Sequence, residues 1–515
     1  MASRITSETV RVVSEQLGGS ALAKAAQAGS LSATVFAARP TSSDGWKQRI
    51  ADVRAATRTQ WRSALEGAFG TPAPAARERL AGASVVITTG QQPGLFGGPM
   101  YTITKALAAL ALADALERET GERVAPVFWA ATDDADFDEA AVTYVVDHGK
   151  LSELRMHQRP SAGTPMAAAP LGDVTAELRA LREASGSASY HSALTAAERA
   201  YVPGATVGDA YLALLRTLLE PLGISVLDAS HPSVRAASRA QLEAAVTHAA
   251  SIEQSLDARA AELRAAGFEP QVESVAGASL VFAYEPSGKR RLRVNEAAPS
   301  DSAVALGPNV LLRPVVERAL LPTVAYVAGP GELAYFAQVS AVATALGAAS
   351  PLAVPRWSCT VVESHVGRAL DRLGLRLEEL DAGDSVEARV ARSEMPTAIS
   401  AALDSLRTST GQSLGVLEAA DAGGLVPPAV HAGLRRNIEH RLARLERRYL
   451  AAVKRSESRA MQDVALVRTS LRPMGKRQER VLNFLPLLAR NGPALLADMQ
   501  DGAAQWATAL VRGVE

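Results

Sequence analysis

Cysteine is nearly absent from this chain: Cys359 is the only one among 515 residues. A single thiol excludes an intramolecular disulfide and fits a reducing compartment, so a soluble, cytoplasmic protein is expected. With no matched base beside it in the sequence, Cys359 reads as a small core residue and not as a nucleophile. The eight histidines are scattered without metal-ligand spacing, and no metal site built from His and Cys is expected. Net charge is also missing, because 54 basic and 54 acidic side chains cancel; neither a nucleic acid nor an anionic membrane is an expected partner. No apolar run approaches the length of a membrane span, and no N-terminal stretch joins a basic flank to a sustained apolar segment. There is no Walker loop, no twin Cys-x-x-Cys and no internal repeat. The length suffices for a substantial core and two or three domains.

What the chain does contain is a set of strand ends rich in chemistry. Val85-Val86-Ile87 feeds a loop, T-T-G-Q-Q-P-G-L-F-G-G-P-M-Y-T-I-T-K from Thr88 to Lys105, and an Ala/Leu-rich segment follows. That pattern predicts a strand, a ligand loop and a helix N-terminus. Gly90 and Gly94 let backbone approach a ligand, the first helical turn offers free N–H groups to an anion, and Gln91, Gln92, Tyr101 and Lys105 add directional polar contacts. One unit downstream, V-A-P-V-F-W-A-A-T-D-D-A-D-F-D-E from Val124 to Glu139 is an apolar strand ending in crowded carboxylates. Asp133, Asp134 and Asp136 there are candidates to hold an ammonium group or a metal, or to act as general base; crowding makes one of them easy to protonate. The bland reading is an acidic helix start facing the positive end of the helix dipole. Thr323 to Val327 is a third strand, running into Gly329-Pro330-Gly331-Glu332, with Tyr335 and Gln338 on the helix behind it. Arg313 and Arg356, each beside a proline, are candidates to grip a carboxylate or phosphate bidentately.

Six ordered segments carry a resemblance that covers nearly the whole chain. They are residues 89–105, 126–139, N-V-L-L-R-P-V-V-E at 309–317, L-P-T-V-A-Y-V-A-G-P-G-E-L-A-Y-F-A-Q at 321–338, V-P-R at 354–356, and R-P-M-G-K-R-Q-E-R-V-L-N at 472–483. With them the chain resembles the bacillithiol biosynthesis cysteine-adding enzymes, the cysteine ligases. The resemblance implies an α/β fold with a Rossmann-like parallel-sheet core, inserted subdomains and a C-terminal α-helical coiled coil that forms a homodimer. It implies the joining of cysteine to glucosaminyl malate, the last step to bacillithiol. Members of the family usually carry Glu-Asp-His-Asp where this chain has Asp133-Asp134-Ala135-Asp136, and often a His or another ring where it has Thr104. Carboxylates and Lys105 therefore remain as the expected chemistry, without an imidazole at either position.

The organisation is read as a helical segment over 1–80, a core over 81–360 with insertions near 150–222 and 230–310, and a helical coiled-coil domain over 361–515. Within the core, helices and loops are expected from the second strand to about 222, then a short strand over 223–228. A hairpin signal, Pro286-Ser287-Gly288, lies between Leu280–Tyr284 and Arg291–Val294. Val366, Leu370, Leu373, Leu377 and Leu380 follow a 4-3-4-3 spacing, as do Ile438, Leu442, Leu445, Tyr449 and Ala452, predicting coiled-coil seams and one helix from about 430 to 470, roughly 60 Å long. Arg472, Lys476, Gln478, Arg480 and Asn483 surround Gly475 and are candidates to hold a nucleotide phosphate; a turn with solvated cations is the alternative.

The leading expectation is a ligase that forms a carbon–nitrogen bond, with Asp133, Asp134, Asp136 and Lys105 catalytic. Gly90, Gln91, Gln92, Gly94, Tyr101, Arg313, Gly329, Gly331, Glu332, Tyr335 and Arg356 are the expected substrate contacts. A carboxylate must be activated before an amine displaces its oxygen, and ATP or another nucleotide, with Mg²⁺ as a candidate partner, is the expected source of that activation, through an adenylate or an acyl phosphate. The alternatives are a ligase or acyltransferase acting on a different amine or acid, and a catalytically decayed helical dimer with a regulatory nucleotide pocket.

Overall fold

The structure is a computed structural model that describes residues 10–57, 60–285, 288–301, 304–382, 384–455 and 458–514. Its described residues divide into two compact units, one of 11–361 with 478–514, the other of 362–477 with residue 10. The last helical stretch, Leu485–Arg512, packs in the sheet-bearing unit.

Five short apolar runs form a wholly parallel sheet: β1 (Val85–Gln91), β2 (Val124–Ala130), β3 (Ser225–Asp228), β4 (Thr323–Ala328) and β5 (Ala353–Pro355), in the spatial order β5-β4-β1-β2-β3. Every residue of β2 and β4 is buried, as strands covered on both faces require. β1 leads to α1 (Tyr101–Thr120), which is buried on nearly all sides by its Ala and Leu residues and ends at Gly121 in the left-handed conformation, φ 76°. β4 leads to α2 (Pro330–Ala345), which opens with proline in its first turn. The chain progresses β1-β2-β3 to one side of β1 and places β4 on the other. The strand order therefore reverses between β1 and β4, where open α/β sheets bind ligands.

Two antiparallel pieces are inserted. Strands Ala278–Glu285 and Gly288–Arg293, joined by Ala305–Pro308, make a three-stranded sheet where the hairpin was expected; Pro286 and Ser287 of that signal lie outside the described residues. The other is a hairpin, Val142–Asp147 with Lys150–Arg155, in a region expected to hold only helices and loops. Its sequence signal is the two-residue turn His148-Gly149, both residues with positive φ (47° and 76°), the geometry that matches the twist of paired strands. The N-terminal segment, expected to be helical, has four helices from Ala21 to Gly82 and a strand, Arg11–Ser14.

The second unit is helical, with α3 (Thr397–Ala420), α4 (Pro428–Lys454) and α5 (Arg459–Leu471). Two of its helices replace the single one expected over 430–470. Ser458 accepts a hydrogen bond from the Met461 N–H and starts α5 afresh, so α4 is about 40 Å long, not 60. The first expected seam is also divided: the helix Ser364–Leu373 stops at Gly374, φ 61°, and Leu377 and Leu380 lie on a separate 3₁₀ segment. A small core of Val390, Met395, Leu403, Leu450, Met461 and Val464 holds these helices together.

Candidate functional site

The cavity at the strand reversal has a volume of about 520 Å³ and is walled by the ends of β1, β2 and β4, by the inserted three-stranded sheet and by Arg480. At its base the Lys105 ammonium, on the second turn of α1, meets the Glu332 carboxylate at 2.6 Å and donates to the Gly90 carbonyl at 2.6 Å and the Gln91 side chain at 3.3 Å. Glu332 is the third residue of α2 and accepts from the Gly329 N–H and the Tyr326 hydroxyl, both at 2.6 Å. It therefore caps its own helix and, through Lys105, ties the ends of β1 and β4 together. Burial draws the Lys105 ammonium below its ordinary pKa, opposed by Glu332. Burial pushes Glu332 up, but Lys105 and the two donors outweigh it and hold the carboxyl below its usual range. Gly90 is required where it stands, since a Cβ there would lie 2.6 Å from the Trp129 carbonyl of the paired strand.

Two further carboxylates belong to the cavity wall. Asp133 and Asp134 both line the cavity. Burial raises the Asp133 pKa, with Lys289 opposing and Asp134 adding to the shift. Asp136 does not line it: its side chain caps the short helix Phe137–Ala140 by accepting from the Glu139 N–H at 3.1 Å, so at this position the bland reading describes the geometry. Gln91 donates to the Tyr101 hydroxyl at 3.2 Å, and burial followed by the nearby Glu139 raises the Tyr101 pKa. Arg313 lies 5.0 Å from the centre of the Tyr326 ring and pairs with buried Glu317 at 2.7 Å. Arg356 reaches the cavity, but both terminal nitrogens of its guanidinium are held by Glu479, at 2.7 and 2.6 Å, with the two side chains 3% and 1% exposed. One of those nitrogens also donates to Thr104 at 3.2 Å.

The expected contacts Gly90, Gln91, Gln92, Tyr101, Lys105, Asp133, Asp134, Arg313, Gly329, Gly331, Glu332, Tyr335 and Arg356 are thus brought to one cavity. Gly94 is not: it packs against Gly98, where a Cβ would come within 2.7 Å of the Gly98 Cα, and shapes the loop. The five nucleotide candidates are not brought together as a binding set. Arg472 pairs with Asp381 at 2.5 Å and donates to the Leu471 carbonyl. Gln478 exchanges both amide bonds with the Val361 backbone. Asn483 donates to the Phe96 and Gly98 carbonyls at 3.0 and 3.1 Å and to Thr143 at 3.2 Å. Lys476 is exposed, and Arg480 alone of the five lines the cavity. Residues missed from the sequence include Trp129 and Tyr326, hidden inside apolar strands, and Phe282 and Lys289, which the inserted sheet supplies. Alternation within a strand gives Lys289 no mark that separates it from a solvated lysine. Among the described residues no group of three or more His, Cys, Asp or Glu is arranged to hold a metal, and Cys359 is buried with its thiol pKa raised by that burial.

A parallel sheet whose order reverses at a charged cavity, walled by inserted strands, defines a Rossmann-like α/β protein with a small-molecule site. The chain belongs to the bacillithiol biosynthesis BshC family: the family's N-terminal Rossmann-like domain matches residues 20–303 and 296–357, and its C-terminal coiled-coil domain matches 359–505. It is similar to proteins named "Putative cysteine ligase BshC". The one from Solibacter usitatus is 32% identical over 439 residues, covering 81% of this chain and 82% of the relative. Those from Salinibacter ruber and Heliobacterium modesticaldum are 30% and 29% identical, covering 81% and 90% of this chain and 80% and 87% of their own lengths.

Proposed function

We propose that this protein is a cysteine ligase that joins the carboxyl group of cysteine to the amine of glucosaminyl malate, forming bacillithiol. The observation that carries the reading is one cavity lined by the carboxylates Asp133 and Asp134 together with the cations Lys105, Lys289, Arg313, Arg356 and Arg480. An amine attacks only after losing a proton. Asp133, whose burial raises its proton affinity, is the group proposed to take it. Lys105 and Glu332 brace the loops on which the carboxylate of cysteine would rest. In the new bond the amine nitrogen replaces one carboxylate oxygen, which must leave in activated form. A nucleoside triphosphate such as ATP is the chemical class that supplies this activation. Arg472, Gln478 and Asn483 are committed to the protein's own groups, so the expected phosphate set does not fit a nucleotide, and no step is assigned to those residues.

The similarity to proteins named as cysteine ligases supports this reading. A single cysteine and a thiol product suit a reducing cytoplasm. The exposed apolar residues Leu434, Leu445 and Tyr449 on α4 support a homodimer through the helical unit. The test is mass spectrometry of the purified protein incubated with cysteine, glucosaminyl malate, ATP and Mg²⁺, scoring the thiol product together with AMP or ADP. The expected outcome is bacillithiol in step with one nucleotide product, and its loss in Asp133→Asn by about 100-fold or more, the usual contribution of a positioned base. Absence of product from folded protein with intact substrates overturns the assignment in favour of another amine or acid.

A further inference from the structure

Four of the cations lining the cavity besides Arg480 differ in one respect. Lys105, Arg313 and Arg356 each have a carboxylate partner within 2.7 Å. Lys289 has none at ion-pair distance among the described residues; its ammonium lies over aromatic faces, 4.5 Å from the centre of Phe282 and 5.7 Å from that of Tyr284. The position is built. Tyr284, the cross-strand partner of Lys289, donates its hydroxyl to the Asp133 carbonyl at 3.1 Å. It passes Gly307 so closely that a Cβ there would lie 2.7 Å from the hydroxyl oxygen. Behind the hairpin, the Lys289 N–H donates to the Gly163 carbonyl at 3.1 Å. Gly288 (φ 119°) and Gly163 (φ 76°) interlock there: a Cβ on the first would lie 2.8 Å from the Ala162 carbonyl, and one on the second 3.0 Å from the Lys289 nitrogen. Three glycines and one tyrosine therefore hold, at the wall of the cavity and on a segment inserted into the sheet, a cation that makes no ion-pair contact among the described residues, although Asp133 lies near enough to feel its charge.

We infer that Lys289 is a ligand-binding residue that takes a carboxylate of the bound substrate, so that the inserted sheet sets specificity for carboxylate-bearing ligands. The inference rests on the cavity being the substrate site. Its aromatic seat orients the ammonium without neutralising it, as a cation over ring faces retains its full charge for an incoming anion. Two sources fit the chemistry: the carboxylate of the amino acid, or carboxylates carried by the amine co-substrate.

The experiment has two parts on the full chain. In the first, lysines are acetylated with acetic anhydride and Lys289 labelling is read by peptide mass spectrometry in the presence of cysteine, glucosaminyl malate or L-malate, each against its methyl ester. At about ten times the dissociation constant the acid that binds Lys289 lowers its labelling about tenfold, the occupancy of one site, and its ester does not. In the second, steady-state kinetics of Lys289→Gln show KM raised about tenfold or more for one co-substrate only, with kcat changed far less, and Lys289→Arg recovers part of the loss. Which KM rises identifies the source of the carboxylate. Protection by L-malate without turnover of cysteine and glucosaminyl malate sinks the ligase reading and supports the role of Lys289. Turnover with no protection by any acid, or with both KM values unchanged in Lys289→Gln, overturns the role and leaves the ligase standing; no protection and no turnover overturns both.

Discussion

Glu332 shows how one residue holds two strand ends at once. Its carboxylate caps α2, accepts from Tyr326 and neutralises Lys105, whose side chain is 2% exposed. The sequence singled out Glu332 as a cavity residue, and it lies there. Its partner was not legible, because residues 105 and 332 are brought together only by adjacent strands. Removing the charge strands a buried ammonium, so Glu332→Gln is expected to destabilise the fold by about 3 kcal/mol in urea titrations at neutral pH. The folded pKa of Glu332 lies below its ordinary 4.5. On acidification the unfolded chain therefore takes up this proton first, and the stabilisation, complete above pH 4.5, is lost as pH falls through the folded value. The stability gap between wild type and Glu332→Gln should accordingly stay constant from pH 7 to 5 and close below about 4.5. A gap independent of pH down to acid unfolding would show that the pair contributes no charge-dependent stability.

At the scale of elements, the loop after β1 is shaped by a residue far along the chain. Phe96, Gly97 and Gly98 all have positive φ (53°, 87° and 75°), which turns their carbonyls inward, and the Asn483 amide satisfies those of Phe96 and Gly98. Composition marked the first segment as glycine-rich and the second as basic around Gly475; it did not reveal that the second clasps the first. Asn483→Ala leaves these buried carbonyls without a donor and should cost about 2–4 kcal/mol. Hydrogen exchange is the direct measurement: amides from 95 to 104 should exchange faster, whereas those of β2 should not. Equal protection in the variant would mean the loop is held by its own backbone. The helical breaks teach a related lesson, since leucine spacing runs unbroken through Gly374 while the backbone does not. Periodicity reports which faces are apolar, and caps decide where a helix ends.

At the scale of the whole molecule, the parallel sheet was legible from buried runs of β-branched residues ending in glycine or carboxylate, because strands covered on both faces must be apolar throughout. A further expectation concerns assembly. Leu434 and Leu445 on α4 are 43% and 38% exposed in a single chain, and glutamate at both positions should convert a dimer to a monomer in analytical ultracentrifugation while circular dichroism keeps its helical signal. A wild type that sediments as a monomer at micromolar concentration refutes the homodimer. What the sequence determined by itself is local: strands, helix faces, glycine turns and the presence of acidic and basic clusters follow from side-chain volume, backbone freedom and burial, which act over a few residues. What only the tertiary structure decided is pairing across distance. That Lys105 belongs to Glu332, Arg356 to Glu479 and Asn483 to the loop carbonyls, and that Lys289 lines the cavity with no ion pair among the described residues, depends on the strand order and on the inserted sheet. A charged side chain carries no local mark of the partner that will neutralise it, because that choice is made by electrostatics and burial only after the strands have met.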